Sequence, residues 1–222
     1  MIKESLTHKK QRASLIINEL KKLYPHAHCA LHHRNPYELL VATILSAQCT
    51  DVRVNLVTPN LFAEFPTPAA MAGVPVEKIE TLIASTGFFR NKAKSLKESA
   101  ADIISKHHGE VPQSMEALTA LRGVGRKTAN VVLGNAFQQN VGIVVDTHVS
   151  RLSERLHLTR HADPVKIEKD LIQLVPQNEW TLFSHWLIFH GRQICVARKP
   201  RCTQCSLLKH CPLGKKLIAT SS

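Results

Sequence analysis

The sequence predicts an all-α protein. Apolar residues recur at helical spacing along most of the chain, start and stop residues bracket those stretches, and a strand pattern is nearly missing. Ala13, Ile16, Ile17, Leu20 and Tyr24 mark one face of a first helix that Pro25 ends. Asn35, Pro36 and Glu38 supply an N-cap, an N1 proline and an acidic N3 for a helix reaching about Ala47. Thr50 and Asp51 begin another, which Pro59 should kink or end. Residues 75–85 fit a short helix with Gly87 just beyond it, as a C-terminal glycine would be. Ala93, Leu96, Ala100, Ile103, Ile104 and His107 line a longer helix stopped by Gly109. Residues 114–121 and 126–137 form two helices around a glycine-containing turn, and residues 147–157 continue the helical pattern. Asp163 and Pro164 cap a helix to about Val175, and residues 178–194 lead into a cysteine-rich stretch. Residues 141–145 alone have strand propensity, in a run too short to settle. The chain has no internal repeat and no low-complexity linker.

With 222 residues and 44% hydrophobic content, the chain can bury a substantial core as one large or two small domains. No apolar run is long enough for a membrane span, and the N-terminal residues lack a signal peptide's apolar stretch. Cysteines without an export signal lead to the expectation of a cytoplasmic, nucleoid-associated location. Lys and Arg exceed Asp and Glu by 12, which favours a polyanionic partner, most simply nucleic acid.

The densest chemistry lies in Leu121-Arg122-Gly123-Val124-Gly125-Arg126-Lys127-Thr128-Ala129-Asn130, with Asp146 19 residues beyond Lys127. Glycines flanking one apolar residue permit a tight hairpin whose amides can grip a phosphate oxygen. The following helix adds its positive N-terminal end. Lys127, in its first turn, is either a phosphate clamp or a nucleophile whose neutral amine is favoured by the helix dipole and a desolvated cleft. A lone G-x-G is weak by itself, and an aspartate before a helical pattern is often only an N-cap. Cys195, Cys202, Cys205 and Cys211 form a C-x6-C-x2-C-x5-C run that reads as a metal or cluster site. Zinc is the common occupant of four cysteines, yet only Cys202 and Cys205 form the close pair usual for zinc modules. The wider spacings suit a loop wrapped around a [4Fe-4S] cluster equally well. Cys29 and Cys49 read as small buried hydrophobes, and the His32/His33 and His107/His108 pairs as solvated surface.

The hairpin, the aspartate in Val145-Asp146-Thr147-His148 and the cysteine spacing together resemble the endonuclease III family of DNA glycosylases, over roughly residues 20–213. The resemblance implies a six-helix domain at residues 29–139 containing the helix–hairpin–helix. It implies a discontinuous iron–sulfur domain at residues 1–28 and 140–222, with Lys127 and Asp146 facing each other across the intervening cleft. It favours a [4Fe-4S] cluster over zinc at the four cysteines. The implied activity is a bifunctional glycosylase and abasic-site lyase that excises damaged, oxidised pyrimidines. Lys127 would attack C1′ and form a Schiff base, and β-elimination would then cut the strand 3′ to the abasic site. Asp146 would accept a proton and stabilise positive charge on the sugar.

The implied partner is double-stranded DNA with a damaged base or abasic site, bound by a monomer. Gly123 and Gly125 would hold phosphate, and Gln48 and Phe88 would fill the space left by an extruded base. Arg198, Lys199 and Arg201, between cluster cysteines, would track the DNA backbone. Two positions depart from the family pattern. Phe88 replaces an aliphatic residue, and Arg122 replaces a proline, loosening the turn while adding a cation. Adenine glycosylases of similar build lack the hairpin lysine and carry an extra C-terminal domain, so Lys127 and a chain ending 11 residues after Cys211 argue against that relative. A non-catalytic DNA-binding module would use the same hairpin for phosphate, but the joint presence of Lys127 and Asp146 disfavours it.

Overall fold

The computed structural model describes residues 4–220; the ends of the expected discontinuous domain, residues 1–3 and 221–222, lie outside them. In chain order the helices are α1 (Leu6–Leu23), α2 (Pro36–Leu45), α3 (Asp51–Glu64), α4 (Pro68–Ala72), α5 (Val76–Ile83) and α6 (Phe89–His107). They continue as α7 (Met115–Ala120), α8 (Arg126–Ala136), α9 (Thr147–Arg155), α10 (Pro164–Ile172), α11 (Trp180–Gln193) and α12 (Pro212–Ala219), with short 3₁₀ turns between some of them. No strand occurs among the described residues. The apolar run at 141–145 is extended chain, with Ile143, Val144 and Val145 buried.

The chain divides into two compact units. One is continuous, Cys29–Gln139, and the other joins Met1–His28 to Asn140–Ser222. Each has its own apolar core. In the continuous unit α2 is buried from Tyr37 to Leu45, and Leu39, Leu40, Leu45, Leu61, Met71, Ile79, Ile83, Leu96 and Ile103 belong to one core cluster. Such a helix lacks a polar face, as a central helix must. In the discontinuous unit, Ile16 and Leu20 of α1 pack with Val149 and Leu152 of α9, Ile167 and Leu171 of α10, and Phe183 and Leu187 of α11.

Local chemistry fixes the helix ends. Asn35, Thr50, Thr67, Ser114, Asp146 and Asp163 each accept a backbone N–H with the side chain at an N-cap. α3 does not stop at Pro59 but runs through it to Glu64. Pro59 is exposed, so water can serve the carbonyl its ring leaves without a donor, while buried Val54, Val57, Leu61 and Phe62 hold the helix down.

Candidate active site

The turn between α7 and α8 is built on Gly123. Its φ is +78°, and an added Cβ would lie 2.8 Å from the Cβ of Ser95 on α6. Val124 is buried and anchors the turn, its N–H donating to the Leu121 carbonyl at 3.1 Å. Gly125 has an ordinary φ of −92° and open space where a Cβ would be. It is the N-cap of α8 and, as a glycine, offers no capping side chain, unlike the N-caps of α7 before it and α9 after it. The N-terminus of α8 thus receives no cap from its N-cap residue and carries the positive end of the helix.

Lys127 is exposed in that first turn. The burial expected for it is not supplied by the protein itself. Arg122, expected to add a cation beside the turn, instead pairs with Glu98 of α6 at 2.8 Å, both partners being nearly half exposed. That ion pair is a link from turn to helix that the usual proline could not make.

Asp146 lies in the other unit, half-buried at the start of α9. Its Oδ1 accepts the Val149 N–H at 2.8 Å, so it is an N-cap, and that bond engages one carboxylate oxygen. Two histidines sense its charge. Burial pushes His185 of α11 down to about 4, with His28 adding to the shift and Asp146 opposing it. His148 is also lowered by burial, again against the pull of Asp146.

The four cysteines of the C-terminal run line one small pocket together with Ile194, Pro200, Leu208 and Gly214. Burial raises the Cys202 and Cys211 thiols and pushes Cys205 up to about 11. Donors already point at the sulfurs. Arg155 Nη1 lies 3.3 Å from Cys195 Sγ, the Gly214 N–H donates to Cys211 Sγ at 3.3 Å, and His190 Nε2 lies 3.3 Å from Cys205 Sγ. Tyr24 Oη, 3.0 Å from His190 Nδ1, orients that imidazole. Among the described residues, no group of three or more His, Cys, Asp or Glu side chains is arranged to hold a single metal ion. Soft sulfur ligands around an apolar cavity, with N–H groups aimed at them, fit an iron–sulfur cluster as a chemical environment.

Two arginines of α9, absent from the sequence reading, shape this loop. Arg151 donates to the Gly191 and Cys195 carbonyls at 2.9 and 3.1 Å, and Arg155 to those of Val196 and Ala197, both at 2.8 Å. They are four residues apart, hence on one face of the helix. Arg198, Lys199 and Arg201 all remain exposed on the loop so formed.

Gln48 and Phe88 are both exposed, at φ of +52° and +48°. Phe88 keeps 65% of its surface open and so is not a core aromatic. Between the chain segments leading to them sits Lys92, a residue the sequence reading did not single out, although it lies on the buried stripe of α6 four residues before Leu96.

Helices, a hairpin helix with a glycine N-cap and a cysteine loop define a class of DNA-repair protein, and comparison with known proteins agrees. Residues 41–177, more than half of the chain, match the model of the HhH-GPD superfamily of base excision DNA repair proteins. Endonuclease III of Synechocystis sp. is 56% identical over 92% of this chain and 93% of its own length. A solved non-covalent endonuclease III–DNA complex superposes with a TM-score of 0.89 at 46% identity, covering 95% of this chain and 98% of that one. A trapped endonuclease III–DNA covalent intermediate, with an estranged adenine, gives 0.89 at 47% identity over 94% and 98%. The chain belongs to the HhH-GPD superfamily and, within it, to the endonuclease III family.

Proposed function

We propose that this DNA glycosylase and abasic-site lyase of base excision repair acts on oxidised pyrimidines in duplex DNA, through an imine formed by Lys127. The observation that carries the proposal is Lys127 in the first turn of a helix whose N-cap is a glycine with no capping side chain. The positive end of α8 and the open space at Gly125 suit a phosphate, which would set the sugar beside the amine. Because Lys127 is exposed, the exclusion of water that favours a neutral amine comes with bound DNA.

The Nζ lone pair forms a bond to C1′ as the bond from C1′ to the base breaks, and the base leaves with its electrons. Asp146 accepts the proton released and stabilises positive charge on the sugar. Ring opening gives the Schiff base between Nζ and C1′. Loss of a proton from C2′ then expels the phosphate at C3′, which cuts the strand 3′ to the lesion. A base must leave the stack before C1′ can be reached, and Gln48 and Phe88 fill the vacated space. Arg198, Lys199 and Arg201 contact phosphates. The protein acts as a monomer.

Cys195, Cys202, Cys205 and Cys211 would hold a [4Fe-4S] cluster. When bound, the cluster supplies a rigid knot for the basic loop and no electron, since neither base excision nor elimination changes oxidation state.

The test is borohydride reduction in the presence of duplex DNA carrying one oxidised pyrimidine. The unchanged chain should be trapped as a covalent adduct. Lys127→Gln should give no adduct while still binding the duplex, because only a primary amine forms the imine. Full trapping of the variant would overturn the assignment.

A further inference from the structure

Lys92 is the fourth residue of α6 and only 5% exposed. Its Nζ donates to two backbone carbonyls, those of Leu45 and Thr86, each at 2.8 Å. An ammonium so enclosed is costly. It gives up hydration, freezes a long side chain, and sits in the first turn of a helix whose dipole disfavours it. Burial accordingly lowers its pKa, with the Cys49 thiol pulling the other way.

The two acceptors occupy matching places. Leu45 is the last residue of α2, where carbonyls lack helical partners. Thr86 ends the 3₁₀ turn after α5. Three residues beyond Leu45 stands Gln48, and two beyond Thr86 stands Phe88, both exposed and in the left-handed region. Residues other than glycine stay in that conformation only where the surroundings fix it. One cation thus anchors the bases of both protruding loops.

We propose that Lys92 is a positioning residue that ties these loops into one unit, so that Gln48 and Phe88 enter the duplex together. The inference rests on the reading of those two side chains as space-fillers. Without the tie each loop would insert independently, and the loss of one side chain would leave the other's contribution unchanged.

The experiment is a mutant cycle read by single-turnover excision of thymine glycol from a duplex with 2-aminopurine opposite the lesion. Fluorescence of the 2-aminopurine reports disruption of the stack. In the unchanged chain, Gln48→Ala and Phe88→Ala should each slow excision and lower the fluorescence. Together they should slow it less than the product of the single effects, by roughly threefold or more, as contacting or mechanically coupled residues do. In the Lys92→Met background the coupling should vanish, so that the two effects multiply, while thermal melting still reports a folded chain. If Lys92→Met does not fold, Lys92→Gln is read in the same way. Single variants without effect would remove the space-filling reading and this inference with it. Effective single variants that multiply in the unchanged chain would overturn the tie and leave that reading standing. Coupling that persists without the ammonium would overturn the role of Lys92.

Discussion

Gly123 holds a φ of +78°, and an added Cβ would meet the Ser95 side chain at 2.8 Å, whereas Gly125 has neither constraint. The two positions should therefore respond differently to an added methyl group. Gly123→Ala should lower the unfolding free energy by about 1–3 kcal/mol, since the backbone is left-handed and a helix lies against it. Gly125→Ala should change stability by no more than about 0.5 kcal/mol, as open surface sites do. If its backbone approaches a phosphate, the added methyl group should still weaken affinity for duplex DNA. Denaturant melts and binding isotherms on the two variants check both statements. The two glycines were plain in the sequence, but their different duties were not, because φ and a neighbour 28 positions away are properties of the folded chain. Arg122 shows the same limit. Its cation was legible, and its partner Glu98 was not. Lys92 was open to discovery, since a lysine on an apolar stripe is an anomaly that periodicity alone exposes.

Helix α9 has Asp146 at its N-terminus and, one turn apart on one face, Arg151 and Arg155 gripping the cysteine loop. It fixes the form of the loop that carries Arg198, Lys199 and Arg201. If these three contact phosphates, neutralising any one should reduce the slope of log K against log salt by about 0.9, equally for damaged and undamaged duplex. Phe88→Ala should leave the slope unchanged while slowing base extrusion, because stacking is uncharged. Titrations at several salt concentrations distinguish them, and an unaltered slope for every loop variant would make the loop mere solvated surface. The cysteine loop itself should bring iron and acid-labile sulfide through purification with a yellow-brown colour. Colourless, zinc-loaded protein with full activity would exclude the cluster. Most helices were legible because caps and periodicity coincide, as at Asn35-Pro36 and Asp163-Pro164. Pro59 does not end α3 because its side of the helix faces solvent, and α4, five residues long, is too short for periodicity to reveal.

Taken entire, the chain should lose stability in mild acid. Folded His185 titrates near 4 because of its burial, whereas an unfolded histidine titrates near 6.5. Between those values the unfolded chain binds a proton that the folded one refuses. Stability therefore rises with pH through this window and is complete above it. The loss on full acidification is at most about 3 kcal/mol from this group. Buried His190, also pushed down to about 4, acts in the same sense, so denaturant unfolding from pH 7 down to 4 should show that slope and His185→Gln should reduce it without abolishing it; an unchanged slope would place the acid sensitivity elsewhere.

The discontinuous unit also has a consequence in time. Translation delivers the segment up to His28 before the continuous unit, yet α10, α11 and α12, which complete the discontinuous one, are made after it. At about 5–20 residues per second, the apolar face of α1 waits roughly 10–40 s for its partners. Cys29–Gln139 emerges whole during that interval, with every segment of its own core available. The nascent chain thus holds every segment of that unit while Ile16, Ile17 and Leu20 still lack most of the neighbours that will cover them, a period in which a chaperone has an apolar helix to hold.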